Sequence, residues 1–147
     1  MSLAVHSETG NTGGFLSSEN VTVELEFIAQ SHSSELCVGF DIVNSEGVVV
    51  LRSYQTDLPE ETWPAIELGK NNWYCEIPCG LLNAGVYYIC PRIGRHNMYW
   101  IVNLDNAIQF EVILAHGVSP FWNTLNGNNR PGIIAPIFDW RSSKLST

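Results

Sequence analysis

Apolar and polar residues alternate one by one along most of this chain. Val21, Val23, Leu25, Phe27 and Ala29 alternate with Thr22, Glu24, Glu26 and Ile28, the period of a strand with one buried face and one wet face. Leu36, Val38, Phe40 and Ile42 alternate in the same way with Cys37, Gly39, Asp41 and Val43, and Asn44-Ser45-Glu46-Gly47 follows with the residues of a hairpin turn. The returning strand is expected over 48–54. Residues 55–71 read as loop, because Asp57, Pro59 and Pro64 interrupt any ladder and Gly69-Lys70-Asn71-Asn72 has turn chemistry. Further strands are expected over 73–78, 86–93, 98–102 and 108–114, with a bend at 81–85 and a turn at Gly94-Arg95-His96-Asn97. After a polar, Asn-rich stretch to Pro131, a last apolar run spans 133–140. No stretch of about a dozen residues carries a helical stripe. The pattern predicts an all-β, antiparallel β-sandwich of about 7–9 strands, a single domain over 1–147 with its core at about 20–140.

Composition narrows the partners. The chain has 147 residues, 45% of them hydrophobic and 15% charged. That suits one domain which buries roughly 70% of its unfolded surface, with no need of staples. The net charge of −8 and the lack of a basic run argue against nucleic acid and anionic membranes as partners. The start lacks the basic and apolar regions of a secretory signal, and Met1-Ser2-Leu3 looks engineered, so further chain is expected upstream. Cys37, Cys75, Cys79 and Cys90 could pair into two disulfides. A core of this size does not require them, and four reduced thiols in a cytoplasmic protein are expected.

Familiar reactive motifs are missing: the sequence holds no phosphate-binding loop, no dinucleotide fingerprint and no nucleophile elbow. His6, His32, His96 and His116 are too scattered to suggest a metal, and Asp57, Glu60 and Glu61 lack the spacing of a calcium loop. No cofactor and no metal are expected. Asp41, Glu76 and Glu111 would be candidates for a glycosidase pair, but carboxylates scattered over strands are normally the wet face of a sheet. The tyrosines say more. Alternation sets Arg52 and Tyr54 on one face of 48–54, and Tyr88, Cys90 and Arg92 on one face of 86–93. If both strands share a sheet, its outer face carries Arg52, Tyr54, Tyr88 and Arg92, with Asp41 among them. Aromatic rings take the C–H faces of a pyranose, and charged groups orient its hydroxyls. These five are the candidate ligand-binding residues.

Four stretches, taken in order, resemble a known family: the C-terminal polysaccharide-binding domain of the Wzt-type ATPase subunit of ABC transporters that export O-antigen. They are the apolar strand and turn Cys37–Gly47, the run Cys75–Tyr88 with its Pro, Leu-rich bend and Gly85-Val86-Tyr87, the strand Ala107-Ile-Gln-Phe-Glu-Val112, and the segment 132–140 ending in Trp140. The resemblance covers about 20–140. It implies an immunoglobulin-like, non-catalytic module that follows an ATPase domain not included in this chain. Such a module recognises the modified terminal end of O-antigen polysaccharide and couples it to export. It implies a cytoplasmic location at the inner face of the inner membrane, and contact with the membrane transporter subunit through the ATPase domain. It also implies a homodimer, and a closing strand at 133–140 that could be exchanged between the two copies. Two other readings stand beside it: a ligand-free structural or dimerisation sandwich, and a carbohydrate-active enzyme.

Overall fold

The computed structural model describes residues 1–31, 35–95, 99–117 and 130–144. Among the described residues nine strands are formed: β1 (Ser2–Ser7), β2 (Gly14–Leu16), β3 (Val21–Ala29), β4 (Leu36–Asn44), β5 (Val49–Tyr54), β6 (Gly69–Ile77), β7 (Gly85–Arg95), β8 (Tyr99–Asn103) and β9 (Ile108–Ile113). They make two sheets. The smaller has the order β1-β3-β6; the larger has the order β2-β9-β7-β4-β5, with β8 also paired to β7. All pairs are antiparallel except β2 with β9. The expected β-sandwich is therefore present, with one parallel pair at the β2 end.

The inward positions of the two sheets form one core. The smaller sheet contributes Val5, Val21, Val23, Leu25, Phe27 and Ile77; the larger contributes Phe15, Val38, Phe40, Ile42, Tyr87, Ile89, Ile93, Phe110 and Val112. Phe110 lies 5.6 Å from both the Phe15 and the Tyr87 rings. Each large side chain taken from water contributes about 1.5–3 kcal/mol, so the alternation in β3, β4 and β9 supplies the drive that fixes their register.

Local chemistry sets the turns. Between β4 and β5, Asn44 Oδ1 accepts hydrogen bonds from the Glu46 and Val48 amides, and Gly47 takes a φ of 81°, where a side chain would be strained. A bulge at Ile42/Val43 then shifts the pairing with β5. Residues 55–68 hold two short 3-10 turns, Gln55–Asp57 and Glu60–Thr62.

Three expectations change. Gly69-Lys70-Asn71-Asn72 is not a turn but the first half of β6, paired with residues 26–29 of β3. Lys70 reaches Glu26 at 2.9 Å, Asn72 donates to Glu24, and the buried Asn71 side chain holds Glu67 and Gly69 by their backbones. Cross-strand partners thus override turn-forming composition. The sandwich also begins well before residue 20: β1 and β2 bury Val5 and Phe15 to 3% and 1% exposure. Finally, 133–140 forms no strand in this chain beyond a single bridge between Ile134 and Leu82. The expected turn at 94–97 lies partly in β7 and partly outside the described residues, as do His32 and His96.

Candidate functional site

The strand register gathers the five candidate residues on one face. Directly paired residues of neighbouring strands point to the same side of a sheet. Gly39 of β4 pairs with Tyr54 of β5 and with Arg92 of β7; Asp41 pairs with Arg52 and Cys90; Val43 pairs with Tyr88. These form successive rows across the outer face of the larger sheet, opposite the core.

Within that face the five play different parts. Asp41 sits at the centre and is 1% exposed. Arg52 grips it with two hydrogen bonds, Nε to Oδ1 at 2.6 Å and Nη2 to Oδ2 at 2.8 Å. Arg92 Nε approaches Asp41 Oδ2 at 3.5 Å from the other flank. Hydrogen bonding to Asp41 raises the Arg52 pKa further, against a smaller opposing effect of burial. Arg92 is itself buried; it donates to the Leu104 and Pro91 carbonyls and to Asp105 Oδ1 at 2.7 Å. Of the residues expected on the outer face, Arg92 and Asp41 are buried rather than open to a ligand. Their charges hold the face together. What remains accessible is Arg52, with 48% of its side chain exposed, and the half-buried rings of Tyr54 and Tyr88.

Arg52 and Tyr54 are held from behind. The Arg52 guanidinium lies 5.9 Å from the centre of the Tyr54 ring, a cation–π distance. Burial raises the Tyr54 pKa, so the phenol stays neutral. The ring lies over Gly39: a Cβ there would sit 2.6 Å from Tyr54 Cδ1 and closer still to the Ser53 carbonyl. Beyond Tyr54 the chain is fixed by the Gln55 amide, which accepts from Val38 N at 2.6 Å and donates to Leu36 O at 2.7 Å. It extends the ladder by side chain where the backbone turns away.

The two tyrosines are not neighbours. They stand four residues apart along β4 and two strands apart across it, about 16 Å in all from strand rise and spacing. One sugar ring cannot touch both. A chain of several sugars can, with Arg52 between them.

Sequence reasoning missed the segment Leu104–Asn106. It folds over β7, with Arg92 bound to Leu104 and Asp105, and the Asn106 amide donating to Cys90 Sγ at 3.3 Å. Asn106 adopts a φ of 51°, a conformation that Asn tolerates, so the Asp105-Asn106 pair was the available signal. Gly39, alone in an apolar strand, was another, since such a glycine often marks a close approach.

The other candidates are apart. Glu76 lies on the outer side of the smaller sheet, remote from Asp41 in topology, and Asp41 is engaged by two arginines. Among the described residues no three His, Cys, Asp or Glu side chains cluster as a metal site. The cysteines carry free thiols, Cys90 buried, Cys79 exposed, Cys37 and Cys75 between.

The fold and this face define a class: a two-sheet β-sandwich domain that presents aromatic rings and an arginine on the outside of its larger sheet. The sequence matches the family described as the Wzt C-terminal domain over residues 2–126, and the chain belongs to that family. The fold is similar to a crystal structure of the C-terminal domain of Wzt, with a TM-score of 0.64 at 12% identity, covering 97% of this chain and 81% of that one. No curated protein matches the sequence. Among the described residues no helix is long and apolar enough to cross a membrane.

Proposed function

We propose that this domain is a non-catalytic reader of O-antigen polysaccharide, acting in an ABC transporter at the cytoplasmic side of the inner membrane. It binds the modified terminal end of the glycan along the outer face of the larger sheet. The observation that carries the reading is the shared face: Tyr54 and Tyr88 flank the exposed Arg52 on a rigid ladder. Stacking on each ring is worth about 1 kcal/mol. Arg52 and Arg92 are balanced by Asp41 and Asp105, so the face is nearly neutral locally and belongs to a domain of charge −8. That favours a neutral glycan over an anionic one. Few contacts in open solvent give weak binding, on the order of −4 to −8 kcal/mol, that is millimolar to micromolar. A transport step that must release its cargo is served by such affinity.

The test compares the source strain's own O-polysaccharide with the same polymer lacking its terminal modification. The capped polymer is expected to bind and the uncapped one to bind at least tenfold more weakly. Equal binding of both contradicts end recognition.

The assembly is a homodimer in this reading, contacting the membrane subunit through an ATPase domain. Support comes from 133–140, where Ile137, Phe138 and Trp140 are 55%, 73% and 95% exposed. Apolar rings left in water favour a second copy as their cover. A monomer in gel filtration at micromolar concentration contradicts the dimer.

A further inference from the structure

The sandwich is not closed on all sides. β5 and β6 are the free edges of their respective sheets and leave a cleft between them of about 610 Å³, within the ~300–1,000 Å³ range of small-ligand sites. The inward residues at these edges, Leu51, Ser53, Trp73 and Cys75, are only partly buried, whereas Phe40, Ile42, Val23 and Leu25 one strand further in are at most 5% exposed. The core is therefore reachable from this side. Trp73 forms one wall and is fixed edge-on against Phe27, with ring centres 5.1 Å apart. Leu58 and Pro64, carried by the loop between the strands, form the roof.

The polar groups around the cleft are largely committed to the protein. Gln55 is bound to Val38 and Leu36, Asp57 Oδ2 accepts from the Tyr54 amide, and Thr62 donates to the Pro59 carbonyl. A ligand must then enter by an apolar edge, since hydroxyls pushed inside would lose water without replacement. The rim is wetter, with Asp57 and Thr62 exposed. Tyr54 lines the cleft and also stands in the outer face, so the two surfaces are continuous.

We infer that the β5/β6 cleft is a second saccharide subsite, specific for a sugar with an apolar edge such as a 6-deoxy hexose, whose methyl group enters between Trp73, Phe40 and Leu58. This rests on the glycan reading of the outer face and adds the class of sugar unit beside Tyr54. The methyl end lies on the core side, and the ring hydroxyls stay at the rim.

Cys75 is a built-in reporter, because its thiol lines the cleft while the exposed Cys79 lies outside it. The experiment measures alkylation of each cysteine by N-ethylmaleimide, resolved by peptide mass spectrometry. The probes are methyl α-D-rhamnopyranoside and methyl α-D-mannopyranoside, which differ only at C6. The deoxy glycoside at about ten times its dissociation constant should slow Cys75 roughly tenfold and leave Cys79 unchanged. The mannoside should bind about tenfold more weakly. Leu58→Asp, at an exposed roof position outside the core, should abolish the protection without changing the melting temperature. Unchanged Cys75 reactivity, equal protection by both glycosides, or full protection in Leu58→Asp each overturns the inference. Normal polysaccharide binding with Cys75 unprotected removes the cleft alone and leaves the outer face standing. Loss of polysaccharide binding in every form of the protein removes both.

Discussion

Asp41 shows how one residue can change meaning between sequence and structure. By alternation it belongs to a wet face, and by coordinates it is a buried anion between Arg52 and Arg92. A buried charge is tolerated only when paired, and removing one partner costs more than the pair itself contributes. Arg92→Ala is therefore expected to destabilise the domain by about 2–4 kcal/mol, measured by urea denaturation. Tyr88→Ala, at a half-buried position, should cost about 1 kcal/mol or less. A loss of binding in Arg92→Ala would then report on folding rather than contact, and Tyr88→Ala is the cleaner probe. Gly39 yields a second residue-scale prediction. Its Cβ would overlap the Ser53 carbonyl and the Tyr54 ring, so Gly39→Ala must push β5 aside. Destabilisation of about 1–3 kcal/mol together with weakened glycan binding is expected; wild-type stability in that variant would contradict the packing of Tyr54 over β4.

At the scale of elements, strands with clean alternation were readable because burial on one face decides them. β3, β4, β5, β7 and β9 fall close to their expected ranges, and the Asn44–Gly47 hairpin carries its own local chemistry. The first half of β6 was hidden, because Gly69, Asn71 and Asn72 look like a turn until β3 is placed beside them. The short β2 is fixed by pairing with β9, nearly a hundred residues away in sequence, which no local window reveals. The pairing of rows on the outer face was partly readable, since alternation alone set Tyr54 with Arg52 and Tyr88 with Arg92. The burial of Arg92 was not, because it depends on the Leu104–Asn106 segment folding over β7, nor was that of Asp41, which is paired with Arg52 and Arg92.

The segment 130–136 offers a prediction of its own. It is held almost wholly through its backbone: the Asn83 side chain donates to the Arg130 and Gly132 carbonyls, Ala135 N donates to Leu81 O, and the Tyr87 hydroxyl lies 2.8 Å from Asn83 O and 3.1 Å from Ile133 O. His116 Nε2 adds a bond to the Ala135 carbonyl at 2.6 Å, with Nδ1 against Ser17 Oγ. Burial raises the Tyr87 pKa above its usual 10.0. A phenol whose folded pKa is raised contributes stability that is complete below the unfolded pKa and lost as pH rises through the folded one. Stability should therefore fall with a measurable slope from about pH 10 upward, and Tyr87→Phe should flatten that slope while costing about 1 kcal/mol at neutral pH through the lost hydroxyl bonds. An unchanged slope in the variant would mean that Tyr87 is not the group that titrates.

For the whole molecule, the sandwich acts as a frame that sets ring spacing. The distance between Tyr54 and Tyr88 follows from strand geometry and not from loop conformation, so the face suits a linear glycan better than a single sugar. Family membership agrees with a role in O-antigen export; the chemistry of recognition rests on this face. The most direct measurement is calorimetric titration with the source strain's O-polysaccharide of the wild-type domain and of Tyr88→Ala, with the melting temperature of each recorded alongside. The account predicts micromolar-to-millimolar binding by the wild type and at least fivefold weaker binding by Tyr88→Ala, equivalent to about 1 kcal/mol, with Tyr88→Ala still folded at the titration temperature. Wild-type affinity in folded Tyr88→Ala would contradict it.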